Sequence, residues 1–416
     1  MGTFVIEGGR SLHGEVAIPG AKNAATPILA ATLLTRGECV IHRVPSITDV
    51  AKMLELLRAL GAEVSREGST VRVKASEVTL TNLPFNLVKG MRSSVLLLGP
   101  LLARLKEVEL PEPGGCIIGN RPLDSHLYGL AQLGAEVRQT SQGYRLAVSE
   151  LKPGRVVLPE FSVTATENVL MAAALTPGTT VIELAAAEPH VQDLGRFLQA
   201  MGAKIRGLGT HRLEIVGSRL HGAEYTLMPD QIEIGTWAAA AAVTRGRLKL
   251  SPVVPEHLDI ILLKLREIGV DINLVGEELT VSGSRPLKSF KLQALPYPGF
   301  PTDLQAPFAV LATQAQGTSL IHDPLYEGRL NHVSELVKMG ANAVVADPHR
   351  VVITGPTPLY GREIRSFDLR AGATLIMAGL VAQGETVISD IEVVDRGYEK
   401  IDERLRAVGA AIRRLA

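Results

Sequence analysis

Residues Cys39–Ala62 read CVIHRVPSITDVAKMLELLRALGA. A short β-like run and a Pro-containing link lead into an amphipathic helix, which stops on Leu60-Gly61-Ala62. Glycine just past a helix end is the usual left-handed stop. The step recurs at Leu133-Gly134-Ala135, Met201-Gly202-Ala203, Ile268-Gly269-Val270, Met339-Gly340-Ala341 and Val408-Gly409-Ala410. The glycines are 73, 68, 67, 71 and 69 residues apart, and a β-like run follows each. A period this long marks a supersecondary unit that must share its core with neighbours.

A second helix repeats with the same period and is apolar almost all the way round. Its copies are Gly20–Thr35, Met91–Arg104, Thr164–Leu175, Asp230–Val243, Thr302–Ala315 and Asp368–Ala382. A helix without a polar face is a buried helix. The unit is therefore strand, buried helix, strand, amphipathic helix, strand, strand. Six units predict an α/β chain of two domains with three units each, divided near Leu227–Asp230. The first strands, within Thr3–Ile18, are expected to join the C-terminal domain. The expected domains are 21–229, and 1–20 with 230–416. Buried helices running in one sense would gather their N-termini at one end of each domain, where anions are favoured.

The 416 residues carry 43 Lys+Arg against 43 Asp+Glu, so a general nucleic-acid or membrane-surface binder is disfavoured. Two cysteines, Cys39 and Cys116, are too few for a disulfide framework and fit a reducing compartment. No apolar run approaches the roughly 20 residues of a membrane span, and the N-terminus is strand-like. These features predict a soluble cytoplasmic protein. No Walker loop, dinucleotide fingerprint or zinc spacing is present.

Residues that one copy has and its siblings lack are the candidates for chemistry. The link Pro113–His126, PGGCIIGNRPLDSH, is enlarged and places Cys116 among glycines with Arg121 close behind. From the loop alone, Cys116 is equally a reactive thiol or a small buried hydrophobe. His126 reads as a satisfied loop histidine. The first buried helix opens on Ala21-Lys22-Asn23 and the second on Met91-Arg92, cations that oppose a helix dipole. The fifth and sixth open on Thr302-Asp303 and Asp368-Leu369-Arg370. Both aspartates also suit an ordinary N-cap. Arg329 and Arg396 occupy corresponding links. Cations on facing ends of two domains suit a multiply anionic substrate, because arginine grips carboxylate and phosphate in bidentate fashion.

The segments IPGAKNAA (Ile18–Ala25), GGCIIGNRPLDSH, YPGFPTDLQAPF (Tyr297–Phe308), DLRAGATL (Asp368–Leu375) and DRGYEKIDERL (Asp395–Leu405) resemble the UDP-N-acetylglucosamine enolpyruvyl transferases. The resemblance runs in order along essentially the whole chain. It implies two inverse α/β-prism domains, each of three βαβαββ repeats. It also implies transfer of the enolpyruvyl group of phosphoenolpyruvate to the 3′-hydroxyl of UDP-N-acetylglucosamine, with release of phosphate, at the first committed step of peptidoglycan synthesis. No metal or organic cofactor is implied, and no nucleic acid or membrane partner.

By the same resemblance, Cys116 is the proton donor to the methylene carbon and the residue alkylated by the inhibitor fosfomycin. Lys22, Arg121 and Arg396 hold phosphate, with Arg370 and Arg329 around the carboxylate and the reacting centre. Asp303 is the base on the sugar hydroxyl, and Asp368 lies in the same site. Asn23 contacts substrate at the helix start of Lys22, and Arg92, Pro122, Leu123, Asp124, Ser125 and the backbone of Ser162 and Val163 shape the nucleotide-sugar site, with Leu325 lining it. The chain departs from many members at Glu160 and Thr164, where lysine and glycine are common. Glu160 is left out of the expected site for that reason. The sister enzyme acting on shikimate 3-phosphate is the nearest alternative; it lacks the cysteine loop and usually starts PGSKS rather than PGAKN. A ring-shaped clamp is the alternative from another class, and the neutral net charge speaks against it.

Overall fold

The computed structural model describes residues 2–80, 84–114, 119 and 122–415. All six Gly-Ala-type steps close their helices as left-handed stops. Gly61, Gly134, Gly202, Gly269, Gly340 and Gly409 all have φ between 95° and 108°. In each case the next residue's N–H reaches back five residues, as Ala62 does to Leu57 and Ala410 to Leu405. That is the Schellman closure, and it needs a residue without Cβ at the turn. The six amphipathic helices are Thr48–Ala59, Asp124–Gln132, Pro189–Ala200, Asp259–Ile268, His332–Lys338 and Ile401–Ala407.

The buried helices are α-helical over Lys22–Ala31, Leu98–Leu105, Val163–Leu175, Gln231–Val243, Gln305–Gln314 and Leu369–Val381. Two differ from the expectation of continuous helices. Residues Arg92–Leu97 and Thr302–Leu304 are 3-10 turns, and the α-helix starts only afterwards. Pro100 and Pro307 favour the late starts, although the first buried helix carries Pro27 at its sixth position. A proline lacks the N–H that an interior turn needs and crowds the carbonyl four residues back, so it belongs in the first turn. Starting at Leu98 and Gln305 puts both prolines there. The helices approach closely where glycine allows it: a Cβ on Gly99 would lie 2.3 Å from the Asn168 carbonyl oxygen. The Gly99 N–H also donates to Asn168 Oδ1 at 2.7 Å.

Contacts divide the described residues into two compact units, one within 20–114 and 122–228, the other within 2–19 and 229–415 together with Gly119. Each has its own hydrophobic core. In the second unit three four-stranded sheets follow one plan. A leading strand pairs in parallel with the strand after the buried helix, and two antiparallel strands complete the sheet. Lys291–Gln293, Gly317–His322, Arg350–Gly355 and Asn342–Asp347 illustrate it.

The N-terminal strands fill two vacancies in that plan. His13–Ala17 leads the sheet of Arg247–Ser251, with His13 opposite Arg247 and Ala17 opposite Ser251. Thr3–Glu7 lies between Glu385–Ser389 and Ala411–Leu415, antiparallel to both. In the first unit, Glu224–Thr226 leads the sheet of Glu38–His42, so the last strand closes onto the first repeat. The repeats thus close on themselves within each unit, giving the inverse α/β-prism arrangement. Among the described residues, no helix is long and apolar enough to cross a membrane.

Candidate active site

Buried helix starts gather the charged residues in the second unit. Asp230 caps its helix by accepting from the Ile232 and Glu233 N–H groups at 2.9 and 3.1 Å. Asp368 does the same for Arg370 and Ala371 at 2.8 and 3.1 Å. A carboxylate there satisfies orphan amides and suits the positive end of the dipole. Asp303 sits instead in the 3-10 turn and takes two guanidinium groups. Arg329 Nη2 bonds Asp303 Oδ1, and Arg370 Nη2 bonds Asp303 Oδ2 at 3.2 Å.

Both arginines are buried, at 9% exposure for Arg329 and 3% for Arg370. Burial alone would lower their pKa. For Arg329 the charges of Asp303 and Asp368 reverse that and push it up. For Arg370, Tyr398, Asp303 and Asp230 do so. Both are therefore cations held in a dry site, where a charge acts strongly. Arg329 Nε and Arg370 Nη1 are buried without a hydrogen-bond partner among the described residues. Unused buried donors are costly unless something completes them. Gln305 steadies Arg329 by donating to its carbonyl at 2.8 Å. His332 lies beside them, its pKa lowered to about 4 by burial against the opposing pull of Asp368. Leu325 is partly exposed, its N–H bonded to Asp323 Oδ1 at 3.1 Å. Arg396 ends the 3-10 turn Ile391–Arg396, two residues before the buried Tyr398.

The first unit assembles a different set. Lys22 is the first residue of its helix, which no side chain caps, and Lys22 Nζ meets Asp49 Oδ2 at 3.1 Å. Asn23 follows in the same turn. Arg92 opens the next 3-10 turn and donates through Nη2 to the Pro122 carbonyl at 3.4 Å. Leu123 caps the helix that begins Asp124-Ser125-His126. From that helix, Ser125 Oγ donates to Glu160 Oε1 at 2.7 Å, and His126 Nε2 meets Thr164 Oγ1 at 2.8 Å. Burial and then the charge of Arg92 lower the His126 pKa to about 3, so the ring is neutral at ordinary pH. Ser162 Oγ accepts from the Ala165 N–H at 3.4 Å and starts the helix that Val163 opens. Cys116 and Arg121 lie outside the described residues. Cys39 is a buried thiol whose pKa is raised by burial.

Besides Gln305 and His332, three participants were not among the sequence candidates. Asp230 stands at the same repeat position as Asp368, which is a signal that could have found it. Asp49 lies in the first turn of an amphipathic helix, where an acid needs no special reason. Glu160, left out above, is tied to Ser125. Among the described residues, no group of three or more His, Cys, Asp or Glu side chains could hold a metal ion.

A family model described as EPSP synthase (3-phosphoshikimate 1-carboxyvinyltransferase) matches residues 6–405. A UDP-N-acetylglucosamine 1-carboxyvinyltransferase from Methylacidiphilum infernorum (isolate V4) is 46% identical, covering 100% of this chain and 99% of its own length. One from Xylella fastidiosa (strain 9a5c) is 47% identical, with 100% of both covered. Among solved structures, the enolpyruvyl transferase NikO from Streptomyces tendae superposes with a TM-score of 0.91 at 28% identity, covering 100% of this chain and 99% of that one. An EPSP synthase from Acinetobacter baumannii gives 0.79 at 20% identity over 100% of both chains, a likeness of fold.

Proposed function

This chain belongs to the UDP-N-acetylglucosamine 1-carboxyvinyltransferase family of enolpyruvyl transferases, and from that premise we propose how its residues divide the reaction. The substrates are phosphoenolpyruvate and UDP-N-acetylglucosamine. The 3′-hydroxyl oxygen adds to C2 of phosphoenolpyruvate while a proton goes to C3. The resulting tetrahedral ketal then loses phosphate from C2 and a proton from C3, which leaves the enol ether. This is a cytoplasmic step that commits the sugar to peptidoglycan.

Asp303 takes the hydroxyl proton, and Cys116 delivers the proton to C3. A thiol, with an ordinary pKa of about 8.5, is a workable acid for that task near neutral pH. Lys22, Arg121 and Arg396 hold the phosphate and the negative charge it gains as its bond to C2 breaks; Arg329 and Arg370 hold the carboxylate beside the reacting centre. Asn23, Arg92, Pro122, Leu123, Asp124, Ser125, Ser162, Val163 and Leu325 shape the place of the nucleotide sugar, and Asp368 fixes the backbone that carries Arg370. Cationic groups fixed before the reaction stabilise such charge without reorganising.

The observation that supports this most directly is the pair of buried guanidinium groups sharing one carboxylate, each with a donor left over. A carboxylate clasped by two cations is a weak base. Phosphoenolpyruvate would draw the guanidinium groups toward its own anions and so leave Asp303 free to accept the proton. The test is phosphate release from phosphoenolpyruvate, with UDP-N-acetylglucosamine and separately with shikimate 3-phosphate. Release with the first alone is expected; release with only the second, or with neither, overturns the reading. Cys116→Ser should nearly abolish turnover. Cys116→Asp should retain it and escape fosfomycin, because a carboxyl still donates a proton but is not the thiol that the inhibitor alkylates.

A further inference from the structure

The second buried helix is broken: a 3-10 turn over Arg92–Leu97 precedes the α-helix that starts at Leu98. Proline alone does not force such a break, because the first buried helix runs through Pro27. We propose that Asn168 is a positioning residue for Arg92. Its side-chain amide keeps the break in place and so sets where the guanidinium stands.

Asn168 lies in the second turn of the third buried helix, Val163–Leu175, and is 0% exposed. Its Oδ1 accepts the Gly99 N–H at 2.7 Å, and its Nδ2 donates to the Val95 carbonyl at 3.0 Å. Val95 and Gly99 stand at i and i+4. In an unbroken α-helix they would bond each other. The amide takes the place of that bond, with one end on each partner. The Val95 carbonyl also accepts the Leu98 N–H, at i+3, as a 3-10 turn requires. Nδ2 donates in addition to the Thr164 carbonyl at 3.2 Å. An amide oxygen only accepts and its nitrogen only donates, so these partners admit one orientation of the side chain. An apolar side chain here would let Val95 and Gly99 close on each other.

The consequence reaches Arg92, six residues before Leu98. A 3-10 turn advances about 120° and about 2.0 Å per residue, an α-helix about 100° and about 1.5 Å. Over six residues the two differ by about 120° of rotation and about 3 Å of length. Closing the break would therefore carry Arg92 away from the Pro122 carbonyl, to which its Nη2 donates at 3.4 Å. Thr164, whose carbonyl Asn168 holds, meets His126 Nε2 through Oγ1 at 2.8 Å. The same amide thus ties Arg92 and the helix start Asp124-Ser125-His126 to one frame.

This inference rests on the proposed place of Arg92 in the nucleotide-sugar site, and its test separates the two. Asn168→Leu keeps the volume and removes both hydrogen-bonding ends. Asn168→Asp keeps the oxygen for Gly99 and, protonated in that dry position, one donor. In steady-state phosphate release, Asn168→Leu should raise KM for UDP-N-acetylglucosamine about tenfold, with KM for phosphoenolpyruvate within about twofold; a tenfold change is about 1.4 kcal/mol. Asn168→Asp should stay within about threefold of the parent for both substrates. Arg92→Met should raise KM for the nucleotide sugar at least as far as Asn168→Leu. Adding Asn168→Leu to Arg92→Met should change little more, because Asn168 acts through Arg92. Asn168→Ser, too short to span both partners, takes the place of the leucine variant if that does not fold. A second measurement needs no substrate. The rate at which phenylglyoxal modifies Arg92, located by peptide mass spectrometry, should shift several-fold in Asn168→Leu and hold in Asn168→Asp.

An Asn168→Leu enzyme with KM for UDP-N-acetylglucosamine within about twofold of the parent overturns the proposal. So do an Asn168→Asp enzyme as impaired as the leucine variant, and single effects of Asn168 and Arg92 that simply multiply. A merely structural role would follow the melting temperature, would move both KM values and would be independent of Arg92. If the parent protein releases no phosphate, the proposed reaction falls by itself. Arg92 reactivity then decides: a shifted rate in Asn168→Leu supports the positioning, and an unchanged rate rejects it.

Discussion

The buried helices of the second unit start on Asp230, Asp303 and Asp368; those of the first start on Lys22, Arg92 and Ser162. The aspartates agree with the helix dipole, and Asp230 and Asp368 satisfy orphan amides. Lys22 and Arg92 oppose it. One unit therefore has starts that stabilise themselves and then recruit Arg329 and Arg370 as counter-charges. In the other, Ser162 is an ordinary cap, while Lys22 and Arg92 are the cations to which the proposed function gives an incoming anion. The same fold element is used twice with the sign of its first charge reversed.

The sharpest way to break this comparison is at Asp303, which holds both Arg329 and Arg370. Asp303→Asn should cut kcat by about 10² to 10⁴, the usual worth of a positioned base. Asp303→Ala should also destabilise the fold by about 3–5 kcal/mol, because it strands buried guanidinium charge. Phosphate release and urea unfolding measure the two. An Asp303→Asn enzyme that keeps a tenth of the parental kcat removes Asp303 from the chemistry.

Next is the first cation. Lys22→Met should raise KM for phosphoenolpyruvate about 10- to 100-fold, a loss of about 1.4–2.7 kcal/mol. It also leaves Asp49, 1% exposed, without the ammonium it meets. Lys22→Arg should recover part of the affinity. A Lys22→Met protein with unchanged KM but reduced stability would make Lys22 a structural partner of Asp49 and nothing more.

Much of this architecture was legible locally. A left-handed glycine is a requirement of a few bonds, so six such stops could be counted in the sequence, and the buried helices between them follow from the lack of a polar face. The 3-10 start at Arg92 was legible in part, since Pro100 would stand deep inside an α-helix from Met91; the one at Thr302 was not, because Pro307 would stand where the first buried helix tolerates Pro27. What could not be read was pairing at a distance. Asp303 meets partners 26 and 67 residues away, and Tyr398 meets Thr236 across 162 residues. Ser125 and Glu160 belong to the same class, because nothing in either segment names the other.

Where the two units agree is in how a buried histidine of each should respond to acid. His126 and His332 have folded pKa values of about 3 and about 4, below the ordinary 6.5. The unfolded chain therefore binds protons first as pH falls from about 6.5, and each histidine costs the folded state stability until its own folded pKa is reached. At pH 5 the loss is about 2 kcal/mol per histidine. His126→Asn should flatten the pH 7 to pH 5 difference in urea midpoint by its share. Buried Glu167 and Asp193 have raised values and work in the opposite direction, so the comparison with parent protein is the informative one. An unchanged pH difference in His126→Asn would show that the ring titrates normally in the fold.

The smallest effect tests the comparison most directly, by giving the Ser162 start the charge the other unit uses. Ser162 makes one long cap bond at 3.4 Å, whereas Asp230 makes two, at 2.9 and 3.1 Å. Ser162→Asp adds a carboxylate to the positive end of a helix and should stabilise the protein by about 0.5 kcal/mol at low ionic strength. If that end receives an anionic nucleotide sugar, the same change must repel it, and KM for UDP-N-acetylglucosamine should rise several-fold while KM for phosphoenolpyruvate stays within about twofold. Stability and binding then move in opposite directions from one substitution. Ser162→Ala is the neutral control, losing about 0.5 kcal/mol of cap energy with little change in KM. A stabilised Ser162→Asp enzyme with unaltered KM would mean that this helix start faces no anion, and that the reversal of sign between the units ends at Lys22 and Arg92.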